Sequence, residues 1–151
     1  MARAYAVTLV GVATTAAVTA PLGIQAAANK PCLICRASIS QQSNTTSQQQ
    51  AVEILRRSTG STNVSTPNKN PMDGGDSAAG FTAIGMAVTL GTAGAILLSD
   101  SFNWQNGWLF LPVPEERHVV TAVITEWSLT LPVAPPVLTT NDTVDVLELG
   151  G

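Results

Sequence analysis

Apolar and polar residues alternate with a period of two along most of the chain, which is typical of half-buried β-strands. The pattern begins near the start, where Tyr5, Val7 and Leu9 share one face of an extended segment. Residues 51–57 also fit a helical turn, and we assign them to a strand. The pattern predicts strands at residues 5–10, 14–18, 22–27, 32–40, 51–57, 82–90, 95–102, 107–111, 118–124, 128–131 and 143–149.

Turn-forming residues separate most of these strands. The Gly-Thr-Ala-Gly segment at 91–94 favours a hairpin, Asn106-Gly107 favours a turn, and the prolines within 112–114 and 132–136 cannot lie inside central strands. Short strands separated by turns every 8–12 residues or so predict an all-β fold, a β-sandwich of jelly-roll type forming a single domain over residues 1–151. We expect the first and last strands to be neighbours, because they commonly pair in jelly rolls.

Two long polar segments interrupt the strands. Residues 41–50 contain no apolar residue, and residues 58–80 are mainly Ser, Thr, Asn, Gly and Pro, with Val64 and Met72 as apolar exceptions. Such composition alone favours mobility, and long loops in compact domains are usually functional. We therefore expect both loops to be ordered by contact with another molecule.

The composition points to assembly. Charged residues make up 11% of the 151 residues, against about 25% in typical soluble domains, while apolar residues make up 45%. A surface with so few charges favours association with neighbouring subunits. The net charge of −3 disfavours nucleic-acid binding, which usually relies on clustered Lys and Arg.

Two uncharged stretches raise the question of a membrane or secretion signal. Residues 4–28 follow Arg3 and resemble a signal peptide, but Thr residues, Pro21 and Gln25 dilute the apolar run. Residues 80–98 are long enough to span a bilayer, yet they contain four glycines and three threonines. A buried pair of strands fits residues 80–98 better, and we predict no membrane partner.

The residues with reactive side chains are few. Cys32 and Cys35 have the spacing of a redox or zinc motif without a second ligand pair, so we interpret them as buried apolar residues. We interpret His118 as a solvated histidine at a strand start, and Asp73 and Asp76 as turn residues. We therefore predict no enzyme activity, no catalytic residues, no metal and no cofactor. Asn-x-Ser/Thr triplets occur at Asn44, Asn63 and Asn141, as chance allows in a Thr-rich chain.

Five aromatic residues lie close together in the sequence. We interpret the group as a core cluster; a sugar-binding platform and a subunit-interface anchor are the alternatives. The group consists of Phe102, Trp104, Trp108, Phe110 and Trp127.

Several segments of the second half resemble small structural proteins encoded beside capsid genes in tailed phages. They are Asn-Trp-Gln-Asn-Gly-Trp at 103–108, Leu-Pro-Val-Pro-Glu-Glu-Arg at 111–117, Leu-Thr-Leu-Pro-Val-Ala-Pro at 129–135 and Leu-Glu-Leu-Gly-Gly at 147–151, with residues 72–80 upstream. The two cysteines and the Ala-rich start depart from the pattern.

The resemblance implies a jelly-roll subunit on the capsid exterior of the virion. Such a protein cements the shell by binding across subunits of the major capsid protein, often as a homotrimer, and has no catalytic residues. We expect residues 41–50 and 58–80 to face the capsid or the trimer partners, and the N-terminal strand is a further candidate. The alternative is a carbohydrate- or receptor-binding jelly roll that uses Trp104, Trp108 or Trp127 as stacking platforms.

Overall fold

A computed structural model describes residues 1–42, 46–121 and 125–150, and it confirms the predicted all-β sandwich. Two antiparallel sheets pack face to face. Sheet A has the order β5-β1-β11-β3-β8, with β9 also paired to β3. Its strands are β1 (Arg3–Ala13), β3 (Cys32–Gln41), β5 (Asn68–Pro71), β8 (Trp108–Phe110), β9 (His118–Val120) and β11 (Thr139–Glu148).

Sheet B has the order β6-β2-β10-β4-β7. A single turn of 3-10 helix, Pro114–Glu116, lies between β8 and β9 of sheet A. The strands of sheet B are β2 (Thr19–Gln25), β4 (Gln49–Arg57), β6 (Thr82–Ala87), β7 (Ala93–Asn103) and β10 (Glu126–Leu131).

The strand pairs are nested along the chain. Strand β1 pairs with β11, β2 with β10, β3 with β8 and β9, and β4 with β7. This nesting, with β1 to β4 alternating between the two sheets, is the connectivity of a jelly roll, and the predicted pairing of first and last strands is confirmed. Strands β5 and β6 are an insertion between β4 and β7, and they extend one side of each sheet.

The core follows the two-residue alternation. In β11 every second residue, including Val144 and Val146, points inward. Its neighbours in sheet A supply Leu9 and Ile39 to the core, and β10 of the facing sheet supplies Leu129. Residues 51–57 lie in β4, so their assignment to a strand is correct. The prediction that residues 80–98 form buried strands holds for β6, whereas most of β7 is exposed.

The polar segment 58–80 does not need a partner to order it. Residues 58–67, which we call the strap, lie over the outer face of sheet B, where the Val64 and Ser65 amides both donate to the Gly85 carbonyl at 3.1 Å. The segment then forms β5, which the sequence did not predict, paired with β1. The expectation that another molecule orders residues 58–80 is therefore wrong for the strap and β5.

Two local predictions also fail. Residues 14–18 form an irregular link with a bend at 16–17, because β1 and β2 belong to different sheets and the chain must cross between them. Residues 91–94 do not form a hairpin, because β6 and β7 lie at opposite edges of sheet B. Residues 88–92 instead cross the outer face of that sheet, where the Thr62 amide donates to the Thr89 carbonyl at 2.9 Å.

The remaining predicted strands differ from the observed strands mainly at their ends. Gly107, with φ of +68°, closes the predicted turn between β7 and β8 in a conformation that favours glycine. The predicted loop at 41–50 shortens to residues 42–48, because β3 and β4 extend into it. Residues 43–45 of that loop and residues 122–124 of the predicted strand 118–124 lie outside the described residues.

Candidate binding surfaces

His118 begins β9, as predicted, but it is half-buried rather than solvated. Its ring stacks on Phe110 with centroids 5.1 Å apart, and the indole Nε1 of Trp127 donates to its Nδ1 at 3.1 Å. Burial, together with the charge of Arg56, lowers the pKa of His118. A neutral imidazole is what this hydrogen bond requires, so the histidine acts as an acceptor that fixes Trp127.

The two cysteines are free thiols in different surroundings. Cys32 is buried on the inner face of β3, as predicted, and burial and Glu148 raise its pKa to about 12. Cys35 is half-buried, which the sequence did not predict, because it is the extra residue of a bulge opposite Asp145 and Val146. Burial also raises the pKa of Cys35, so neither thiol is poised to react as a thiolate at neutral pH.

Asp73 and Asp76 form a turn, as predicted. The carboxylate of Asp73 accepts from the Gly75 amide at 3.0 Å, and its carbonyl accepts from the Asp76 amide at 3.0 Å. Among the described residues, no three His, Cys, Asp or Glu side chains are grouped so as to hold a metal ion.

The asparagines of the Asn-x-Ser/Thr triplets have structural roles where they are described. The side-chain oxygen of Asn63 accepts from the Gly85 amide at 2.8 Å, and that of Asn141 accepts from the Gly11 amide at 3.0 Å. Asn44 lies outside the described residues.

The aromatic group belongs to the core, as predicted. Trp104, Trp108 and Trp127 are 0%, 7% and 1% exposed, and Phe102 packs edge-on against Trp104 with centroids 4.9 Å apart. Phe110 is half-buried against the same cluster. A sugar ring cannot stack on indoles that the protein already covers, so these tryptophans offer no platform for a carbohydrate.

A polar network lies between the strap and the outer face of sheet B. Glu126 on β10 is fully buried and accepts hydrogen bonds from Ser61, at 2.6 Å from the amide and 3.0 Å from the hydroxyl. Arg57 on β4 lies 3.9 Å from this carboxylate and donates to Ser128, Thr130 and the Gly91 carbonyl. The Ser61 segment of the strap is thus held by the carboxylate of a buried ion pair, and each of the three guanidinium nitrogens of Arg57 donates a hydrogen bond.

The strap can lie close to the outer face of sheet B because that part of the sheet contains glycines. A Cβ on Gly23 would lie 2.7 Å from Glu126 Oε1, and a Cβ on Gly85 would overlap the Ser65 carbonyl oxygen. Glycine inside a strand often marks the close approach of another backbone. Gly23 and Gly85 are therefore the signal in the sequence that indicates a covered face of sheet B, which the composition of residues 58–80 does not indicate.

The edge strands of the two sheets differ in how they are protected against pairing with a further strand. Strand β5 has four residues including Lys69 and Pro71, and the strap covers β6. Strands β8 and β9 are short and are separated by a segment that contains Pro112 and Pro114. Strand β7 has eleven residues, a single charged side chain, Asp100, and no Lys, Arg or Pro. Within the described part of the chain, β4 is the one strand that pairs with β7.

Exposed apolar side chains lie on the side of the sandwich formed by β7 and β8. The two strands are linked there, because the Trp108 indole donates to Asp100 at 3.1 Å. Ile96 is 58% exposed and Leu109 is 59% exposed, and two further apolar residues follow β8. We call this surface the open side and define it by Ile96, Leu109, Leu111 and Val113.

Strand addition at β7 is opposed by its local structure. Two register shifts interrupt its pairing with β4, and the Asp100 carboxylate accepts from the Ser101 amide at 2.7 Å. Bulges and inward charges are common devices that prevent edge-to-edge pairing. Strand β7 is therefore a poor edge for the addition of another strand.

Comparison with protein-family models, curated proteins and solved structures finds no match for the chain. In the described residues, no helix has the length and hydropathy needed to cross a membrane.

Proposed function

We propose that this chain is a structural protein of the virion that cements a tailed-phage capsid from outside by binding across subunits of the major capsid protein. The observation that carries the proposal is the open side, where exposed apolar residues lie beside β7, a long edge strand with a single charged side chain. The resemblance of residues 103–108, 111–117 and 129–135 to such proteins supplies the identity of the partner.

Rigidity supports a cementing role. Ordering a flexible segment on binding costs about 1–2 kcal/mol per residue in backbone entropy. The strap is already ordered on sheet B, so its entropy is lost when the chain folds. Binding through the open side therefore does not include this entropic cost. Repeated copies on a shell can then add small individual contacts into a large total.

The segments that we expect to face the partner contain fewer residues than the sequence indicated. Strap residues are committed to sheet B, so the remaining candidates are the exposed tip at 72–75 and the described part of the 42–48 link. We propose that these segments and the open side form the contacts with the capsid and between copies of the chain, in a homotrimer.

Binding to shells tests this proposal. Empty shells assembled from the major capsid protein encoded in the same genome are mixed with the purified chain, sedimented, and melted with and without it. We expect the chain to sediment with the shells and to raise their melting temperature. Failure to bind or to stabilise them would contradict the proposal.

Two variants of matched chemistry locate the contact. Ile96→Lys places a charge on the open side, and Val10→Lys places one on β1, at an equally exposed position three strands from β8. We expect Ile96→Lys to weaken shell binding at least tenfold and Val10→Lys to leave it within about twofold, since a desolvated charge costs more than about 1.4 kcal/mol. Equal effects of the two variants would exclude the open side as the surface that contacts the shell.

A further inference from the structure

A carboxyl group lies inside the sandwich, away from every surface discussed so far. Asp142 is on the inner face of β11, opposite Leu9 of β1 and Ile39 of β3, and it is 0% exposed. Its Oδ1 has no hydrogen-bond partner among the described residues, and its Oδ2 lies 2.8 Å from the Thr140 hydroxyl. An ionised carboxylate in such a place would have one donor and no counter-ion.

The Thr140 hydroxyl has one proton and two acceptors within reach. It lies 3.3 Å from the Val12 carbonyl as well as 2.8 Å from Asp142 Oδ2. A hydroxyl donates one hydrogen bond, so an ionised Asp142 and the Val12 carbonyl would compete for it. A protonated Asp142 removes the competition, because its O–H donates to Thr140 and the Thr140 O–H donates to Val12.

We infer that Asp142 is a neutral carboxylic acid in the folded protein and that loss of its proton to solvent weakens the pairing of β1 with β11. The relay Asp142–Thr140–Val12 joins the two strands at one end of sheet A, next to the bulge at Gly11. The fold therefore contains a pH-sensitive latch between its first and last strands.

No charged group nearby offsets this burial. On the elements packed against β11, the inward titratable groups are Tyr5 of β1 and Cys32 of β3, and β2 has none. Tyr5 is opposite Val146, and Cys32 is opposite Glu148, about 20 Å along the strand from Asp142. Beyond Ile39 lies Trp108, whose indole is bound to Asp100.

Burial accordingly raises the pKa of Asp142 from 3.8 to about 7, and the hydrogen bond from Thr140 opposes only part of the shift. Between those values the folded protein holds a proton that the unfolded chain releases. Raising the pH therefore favours unfolding, and the unfolding equilibrium constant increases about tenfold per pH unit across this window. Above the folded pKa the contribution is constant.

Titration of the intact chain tests the latch directly. The side-chain carboxyl of Asp142 is followed by 13C NMR, with its resonance assigned by comparison with the Asp142→Asn variant. We expect a midpoint near 7, as burial implies. A midpoint in the range of exposed aspartates, about 3.9, would overturn the inference, and this measurement does not depend on the stability of any variant.

Unfolding as a function of pH gives a second readout. Asp142→Asn preserves the shape of the neutral acid and does not titrate, whereas Asp145→Asn removes an outward carboxylate of the same strand that pairs with Arg36. We expect the unfolding midpoint of the wild type to fall relative to Asp142→Asn between about pH 4 and about pH 7, and Asp145→Asn to follow the wild type. Parallel curves for the wild type and Asp142→Asn would overturn the latch.

Discussion

Individual residues show where alternation stops being informative. The pattern of β10 places Trp127 and Leu129 on one face and Glu126 and Ser128 on the other, and it correctly identifies the core side. Alternation cannot say whether the polar side meets water or another layer of protein. The structure places Glu126 under the strap, where it is as buried as the tryptophan beside it.

A neutral replacement of Glu126 tests the buried ion pair. Glu126→Gln keeps the size of the side chain but leaves Arg57 charged in a site that is almost fully covered. We expect a loss of about 3 kcal/mol in the free energy of unfolding, measured by urea denaturation, because a buried charge without its partner is costly.

The matched control for this loss is Asp145→Asn on the outer face of β11. Arg36 Nε lies 2.8 Å from Asp145 Oδ2, but the Arg36 side chain is 45% exposed, so solvent screens the pair. We expect a change below about 1 kcal/mol. Similar losses in the two variants would show that solvent reaches Arg57 and Glu126.

Among the elements, the strap is the one that the sequence misrepresents most. Its composition is that of a mobile loop, and the sequence-based expectation of an external partner followed from that composition alone. Backbone hydrogen bonds to Gly85 and the carboxylate of Glu126 instead fix it to its own sheet. These contacts join residues at least twenty positions apart, which local pattern and composition do not encode.

Adding one methyl group beneath the strap tests its position. In Gly85→Ala the new Cβ would overlap the Ser65 carbonyl oxygen, so the strap must move outward. We expect a loss of about 1–3 kcal/mol in the free energy of unfolding, as for other overpacked sites.

Gly74→Ala is the corresponding control, because no atom lies within 4 Å of the position its Cβ would take. We expect its stability to remain within about 0.5 kcal/mol of the wild type. If Gly85→Ala were equally neutral, the strap could not lie against β6 as described.

For the whole molecule, the fold class was predictable and the covering of sheet B was not. Alternation with frequent turns sufficed for an all-β sandwich whose first and last strands pair. The hairpin at 91–94 failed because a local turn signal does not distinguish a hairpin from a crossover. The candidate contact surface could not be predicted from the sequence either, since the exposure of Ile96 and Leu109 depends on which strands lie at the edges of the sheets.

A jelly roll that covers one of its own sheets is fully folded before it binds a partner. The open side is exposed in this folded unit, and a shell-binding role needs nothing else to become ordered first. This distinguishes the proposed cement protein from one that binds through flexible arms, in which the Ser- and Thr-rich segments would fold only on the capsid.

Amide hydrogen exchange on the purified chain, alone and bound to empty shells, tests this distinction most directly. We predict that the amides of Ser61, Val64 and Ser65 are already protected in the free chain, because their acceptors belong to the same molecule. Binding should then add protection mainly on the open side. Exchange of those strap amides at the rate of an unstructured chain, with protection gained only on the shell, would contradict the account.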